Sequence, residues 1–204
     1  YTSAYAGNIV GNRESSVARR IRDIAARKNC GVLFFSSLPF CSMVAMDYDR
    51  VIRGVSAENA TPIIRLPSDA LSGDWLDGYG DVLESLARTV SLADAKPEPD
   101  KVAVVGYLMD RTEQDHLANL SELRGLLEGL GLDLVSVWLS NVPYGRLSDV
   151  KRAGTILSMP YGRQAARVLA DMLGAKLVEL DIPFGLQPTE RWVRTVAEAC
   201  GRAR

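Results

Sequence analysis

The chemistry open to this chain rests on few residues, since its 204 positions hold three cysteines and one histidine. Cys41 is the most suggestive. It sits in the segment Ser36-Ser37-Leu38-Pro39-Phe40-Cys41-Ser42, which leads from an apolar strand into a helix predicted from Ser42. A helix start favours the thiolate, the form that ligates metal or attacks carbon, while the competing reading of a lone cysteine is a packed apolar side chain. Cys30, after a predicted helix, and Cys200, close to the last residue, read as packed apolar side chains. His116 is the single imidazole, so a histidine-dependent triad has to use it. Asp110, Glu113 and Asp115 beside it suit a surface ion pair as well as an acid, and the structural role is the reading adopted. Met43, Met46, Met159 and Met172 fall on expected core positions and need no cofactor.

These residues act together only if the fold gathers them. Short β-rich runs alternate with amphipathic helical windows, the pattern of a parallel sheet covered by helices. Asn12 to Lys28 predicts a helix capped by Asn12, with Val17, Ile21 and Ile24 on one face. Val32 to Phe35 is an apolar strand suited to burial on both faces. A second helix from Ser42 turns Met43, Met46 and Val51 inward, and Pro62 to Leu66 is the next strand. A helix bearing Trp75, Tyr79, Leu83, Leu86 and Val90 precedes Lys96-Pro97-Glu98-Pro99-Asp100, whose prolines mark a linker.

Beyond that linker, Val102 to Tyr107 predicts a central strand. A helix from Thr112 follows, with Leu117, Leu120, Leu123, Leu127 and Leu130 at helical spacing and Gly129 and Gly131 ending it. Further strands are expected at Leu134 to Trp138, Thr155 to Met159 and Lys176 to Leu180. Helices follow at Leu147 to Arg152, around Ala165, Val168, Leu169 and Met172, and from Pro188 to Cys200 with Val193 and Val196 inward. The expected fold class is α/β, with Rossmann-like parallel sheet flanked by helices in three αβα layers. It forms either two lobes, 1–97 and 98–204, or one doubly wound sheet with an exposed connection.

In an open parallel sheet, ligands gather beyond the carboxyl ends of the strands, where loop amides and helix N-termini converge. That rule selects the loops Ser36 to Cys41, Leu66 to Gly73, Leu108 to Thr112 and Pro160 to Arg163. The sequence carries no GxxxxGK[ST] phosphate loop, no GxGxxG after a strand, and no GxSxG, HExxH or kinase signature.

Composition narrows the classes further. The formal charge is −1 with a pI near 5.9, without the basic excess of a dedicated nucleic-acid binder. Mean hydropathy is zero and no apolar run is long enough to predict a membrane span. Three cysteines without a CxxC pair suit a reducing compartment, and a cytoplasmic location is expected. Asn59-Ala60-Thr61 and Asn119-Leu120-Ser121 match a glycosylation pattern that has no meaning there. Tyr1 stands where a start methionine would, so a processed or trimmed chain is expected. Residues 1–56 hold eight Lys/Arg and four Asp/Glu, a net of +4, against sixteen and twenty-one in the remainder, a net of −5. The positive excess on Arg13, Arg19, Arg20, Arg22, Arg27 and Lys28 reads as a solvated helix face, with a docking surface for a phosphate or an acidic partner as the alternative.

Taken in order, several segments resemble the nitrogenase component 1 type oxidoreductases, a family that includes light-independent protochlorophyllide reductase subunits. Gly7-Asn8-Ile9-Val10-Gly11 is similar to the turn before that family's first helix. Leu33-Phe34-Phe35-Ser36-Ser37 with Met46-Asp47-Tyr48-Asp49 resembles its strand, cysteine loop and acidic helix start. Ser72-Gly73-Asp74 with Gly78-Tyr79, Val105-Gly106-Tyr107, Glu122-Leu123 and Leu130-Gly131-Leu132 follow in the family's order. So do Ile182-Pro183-Phe184-Gly185 and Thr189-Glu190-Arg191-Trp192.

The resemblance implies a prokaryotic, cytoplasmic oxidoreductase subunit, of which this chain is a middle part and is inactive alone. It implies an iron–sulfur cluster in the full assembly. The implied partners are a second component 1 subunit and an ATP-binding iron–sulfur reductase that delivers electrons, with no nucleic acid and no membrane. It makes Cys41 the candidate metal ligand, although aligning Asp47 puts Pro39, two residues away, at the family's cysteine position. Asp110, Arg111, Tyr161 and Arg163 become candidate cofactor-binding residues at an interlobe cleft, where the guanidinium forks of Arg111 and Arg163 suit carboxylates. The alternatives are a cluster-free scaffold and a small-molecule-binding α/β domain without catalysis.

Overall fold

The computed structural model of the chain describes residues 13–27, 29–37, 47–67, 73–107 and 114–202. It divides into two compact units, Tyr1–Asp74 and Trp75–Arg204.

The first unit holds α1 (Glu14–Ala25), β1 (Leu33–Phe35), α2 (Tyr48–Ser56) and β2 (Ile63–Arg65). The two strands pair in parallel, Leu33 opposite Ile63 and Phe35 opposite Arg65. Helix α2 starts at Asp47, whose carboxylate accepts the Arg50 backbone N–H at 2.9 Å and so satisfies one of the helix's open donors. Ile21 of α1 packs with Val51, Ile52 and Val55 of α2, and Val17, Leu33, Phe35 and Ile63 close the cluster. Thr61 Oγ1 donates to the Ala25 carbonyl at 3.1 Å, tying the end of α1 to the approach to β2. Of the basic face of α1, Arg22 forms a two-pronged pair with Glu58, at 2.7 and 3.1 Å, while Arg19, Arg20 and Arg27 are exposed. Helix α1 begins at Glu14 with Arg13 at its N-cap. The expected cap Asn12 and the expected helix start at Ser42, with Met43 and Met46, lie outside the described residues.

The second unit is built on a four-stranded parallel sheet in the order β4-β3-β5-β6. Its elements run α3 (Trp75–Thr89), β3 (Glu98–Val105), α4 (His116–Gly129), β4 (Asp133–Val137), a 3₁₀ helix (Tyr144–Arg152), β5 (Ala153–Ser158), a 3₁₀ turn (Pro160–Gly162), α5 (Arg163–Leu173), β6 (Lys176–Glu179) and α6 (Leu186–Ala199). One sheet face presents Val102, Val104, Leu157 and Val178 to Leu123 and Leu127 of α4 and to Trp192 and Val196 of α6. On the other face α5 lies over β5, β6 and β3, α3 packs along α5, and the 3₁₀ helix lies beside β3 and β4. This is the expected three-layer α/β arrangement, and every strand pair among the described residues is parallel. No helix is long and apolar enough to cross a membrane among the described residues.

Two expectations are revised. The division between compact units falls at Asp74/Trp75 rather than near residue 98, because α3 packs along α5 and so joins the second unit. The stretch Lys96 to Asp100, read as a linker, instead enters β3 at Glu98. Pro99 is tolerated there because the ladder is irregular: Glu98 pairs with Ala153, and regular pairing with β5 resumes only at Val102. Opposite it, Gly154 leaves room for that irregular backbone, since a β-carbon on Gly154 would lie 2.3 Å from the Glu98 carbonyl oxygen.

The leucine helix is also less uniform than its spacing suggests. Leu123 and Leu127 are buried, but Leu117 is 74% exposed. Met159 is in the core as expected, whereas Met172, expected inward, is 52% exposed on the outer side of α5.

Candidate functional site

The chain order of the second sheet reverses direction at β3: the chain leaves β3 for β4 on one side and returns to pair β5 on the other. Ligands in open sheets favour the crevice beyond the carboxyl ends of two such strands. Here two backbone segments meet beyond the ends of β3 and β5. Gly106, at φ 88°, follows β3, and Gly162 ends the turn after β5. A β-carbon on Gly106 would stand 2.3 Å from Gly162 N, and one on Gly162 would stand 2.6 Å from Gly106 Cα. The open space lies beside this contact, as a groove of about 310 Å³.

One wall of the groove is the amino-terminal half of α3, which brings Asp77, Asp81 and Glu84 to one face at helical spacing. The other wall is Pro160, Tyr161, Gly162, Arg163 and Gln164. Gly80 sits between the walls, with the Tyr161 carbonyl 3.7 Å from the position of an added β-carbon. Glu84 pairs with Arg88 one turn on, at 2.7 Å.

Tyr161 and Arg163, both expected at a ligand site, therefore share one groove. Their roles differ. Tyr161 is half-buried in the 3₁₀ turn and lines the space. Arg163 opens α5, and its guanidinium donates to the Ser158 carbonyl and, at 2.8 Å, to the Leu180 carbonyl. These are the carbonyls at the carboxyl ends of β5 and β6, so the fork expected to meet a carboxylate ligand instead clamps two strand ends. Asp181 lies 3.9 Å away but is almost fully exposed, and such a pair adds little. Asp110, Arg111 and Cys41 lie outside the described residues.

Tyr79 lies on α3, as expected, and belongs to the Gly78-Tyr79 segment that resembles the family. Its hydroxyl donates to the Tyr107 carbonyl at 2.7 Å, fixing α3 to the chain leaving β3. Burial pushes its phenol up to about 12. Tyr107 in turn stacks at a tilt on His116, with ring centroids 5.8 Å apart and its hydroxyl 3.5 Å from Nδ1. His116 is buried at the first position of α4, and its Nε2 has no partner among the described residues. The surface ion pair expected for His116 is therefore replaced, among the described residues, by burial against Tyr107. The Gly106–Gly162 contact was the feature hardest to foresee. A glycine directly after the strongest strand was a usable signal, but its partner lies far along the chain.

The model of the family described as nitrogenase component 1 type oxidoreductase matches residues 2–204. The chain belongs to that family. Solved structures agree with the assignment at the level of fold. "Nitrogenase Cp1 at pH 6.5" superposes with a TM-score of 0.75 at 15% identity, covering 98% of this chain and 48% of the other. "Nitrogenase Cp1 at pH 5" gives a TM-score of 0.71, also at 15% identity, with 98% and 41% coverage. The chain thus spans about half the length of these component 1 structures or less. No curated protein matches it in sequence.

Component 1 relatives typically hold iron–sulfur clusters, and a cluster needs about three or four thiolates. The cysteines of this component 1 chain do not supply them where they are described. Cys30 Sγ lies 3.6 Å from the Val32 carbonyl in the first unit, and Cys200 Sγ lies 3.8 Å from Thr155 Oγ1 in the second. Among the described residues, no group of three or more His, Cys, Asp or Glu side chains is placed to hold a metal ion. The described donors therefore do not fit a complete cluster.

Proposed function

We propose that this chain is part of a component 1 subunit of a nitrogenase-like oxidoreductase, which accepts electrons from an ATP-driven iron–sulfur reductase in the full cytoplasmic assembly. The observation that carries this reading is the family match across residues 2–204, supported by a fold agreement that covers 98% of the chain. The assembly pairs this subunit with a second component 1 subunit, and the isolated chain is inactive. Asp110, Arg111, Tyr161 and Arg163 are the candidate cofactor-binding residues in this reading, and Arg163 also braces the turn that carries Tyr161. Cys41 is the chain's candidate metal ligand.

The experiment is anaerobic purification of the full-length protein with its partner subunit, followed by iron analysis and mixing with an ATP-binding iron–sulfur reductase. Iron content together with ATP-dependent electron uptake supports the reading. Iron-free protein that takes up no electrons overturns it.

The engagement of Cys30 and Cys200 away from any shared donor group favours a second reading, a cluster-free scaffold that keeps the fold and binds a partner. Iron-free full-length protein that still forms the complex with its partner subunit supports that alternative.

A further inference from the structure

We infer that Cys30 and Cys200 are packing thiols, so that this chain cannot complete an iron–sulfur cluster from its own residues. Any cluster in the assembled protein then takes ligands from polypeptide outside these 204 positions. The inference leans on the proposed function only for the existence of such a cluster. Its core is a statement about two thiols.

Three observations carry it. The first is position. Cys30 lies between the end of α1 and the start of β1, and Cys200 is the C-cap of α6, beside Thr155 in the first half of β5. Both therefore sit toward the amino ends of their strands, whereas ligand sites of open parallel sheets form at the carboxyl ends.

The second is engagement. Cys30 Sγ lies 3.6 Å from the Val32 carbonyl, a contact within its own loop in which the carbonyl can only accept. Iron binds the thiolate, which would face that carbonyl with like polarity. Cys200 is half-buried against the large core of the second unit, with Thr155 Oγ1 beside its sulfur.

The third is number. Of three cysteines in the sequence, setting aside these two leaves Cys41 alone, against the three or four or so that a cluster requires. The single histidine offers no substitute, being packed against Tyr107 at the head of α4.

The decisive experiment incubates the 204-residue chain anaerobically with ferrous iron and sulfide, desalts it, and measures retained iron. Cys30→Ser, Cys200→Ala and the double variant are run in parallel, with circular dichroism to confirm that each is folded. The expected result is equal iron in the wild type and the folded variants. Cluster-like absorbance in the wild-type chain that either single substitution abolishes would overturn the inference. A second arm places the same substitutions in the full-length protein, where iron per protein is expected to stay unchanged and a loss of half or more overturns it. Iron-free full-length protein counts against the proposed electron-transfer function, while the reconstitution arm still decides the role of the two thiols.

Discussion

Gly106 and Gly162 meet backbone to backbone at the carboxyl ends of β3 and β5, with no room for a side chain on either. An added β-carbon would lie 2.3 Å from Gly162 N in one direction and 2.6 Å from Gly106 N in the other. Gly106 also has φ 88°, a conformation that other residues adopt at a cost. Gly106→Ala and Gly162→Ala are each expected to destabilise the protein by about 3 kcal/mol or more, since only backbone lies in the way. Gly125→Ala, in the middle of α4 with nothing within 4 Å, is expected to stabilise it by about 0.5–1 kcal/mol. Urea denaturation of the three variants checks the contrast. Equal midpoints for Gly106→Ala and wild type would show that the strand ends are not in contact.

The Tyr79 hydroxyl predicts a pH dependence whose sign is fixed by burial. Its pKa is raised from 10 to about 12, so the folded state keeps the proton after the unfolded state has lost it. The stabilisation is complete below pH 10 and disappears as pH rises through about 12. Two units correspond to on the order of 2 kcal/mol once partial solvent access is allowed for. Tyr79→Phe is expected to cost about 1 kcal/mol at neutral pH through loss of the bond to the Tyr107 carbonyl. It should also flatten the decline above pH 10. Denaturant midpoints measured between pH 8 and 12 test both; an undiminished slope in the variant would assign the decline to other groups.

Arg163 holds two strand ends with one planar fork, a geometry that lysine cannot reproduce. Arg163→Lys and Arg163→Ala are therefore expected to lose similar stability, about 1.5–3 kcal/mol, measured as a fall in thermal midpoint. Asp181→Asn, at the exposed end of the same arginine, should change stability by less than about 0.5 kcal/mol. Full rescue by lysine would mean that charge, not the fork, matters here.

Glu179 and Arg167 make a separate surface pair, 2.8 Å apart. The hydrogen bond from Arg167 holds the Glu179 carboxyl below the usual glutamate range, with the nearby charges of Arg167 and Arg163 acting in the same direction. NMR titration is expected to show Glu179 losing its proton at lower pH than an ordinary glutamate, and Arg167→Gln should return it toward that range. High salt should narrow the difference, because the pair is open to solvent.

Phe184 and Leu186 are each 87% exposed in and just after the loop that follows β6. Replacing both with serine should leave the unfolding midpoint within about 0.5 kcal/mol of wild type, because little apolar area returns to water. A large loss of stability in urea denaturation would place these side chains in a core instead.

Periodicity made most of the second unit legible. The apolar run Val102 to Val105 is fully buried and central, as its composition demanded, and Val196 faces inward at helical spacing. The same logic misplaced Leu117 and Met172, because hydrophobic character records what a side chain tolerates, and the ends and outer sides of helices need no burial. Pro99 misled for a different reason. A proline removes one donor, which argues against a strand until the partner strand is seen to be irregular at that point and to carry Gly154 opposite. At the candidate site, the strand-end rule selected the loop that carries Tyr161 and Arg163, and both line the groove. The rule could not show that Arg163 would turn toward the Ser158 and Leu180 carbonyls, since that depends on two strand ends that become neighbours only after folding.

The strand order carries a consequence for biosynthesis. β3 pairs with β4 on one edge and with β5 on the other, and β5 begins at Ala153, far downstream. A nascent chain that has emerged only through β4 presents the other edge of its most apolar strand unpaired, a template for sticking to its neighbours. Once β5 is paired, the turn at Gly162 seats against Gly106 at the strand ends. The pairing of β3 with β5 is thus a non-local contact, of the kind that forms more slowly than the local contacts of a helical bundle.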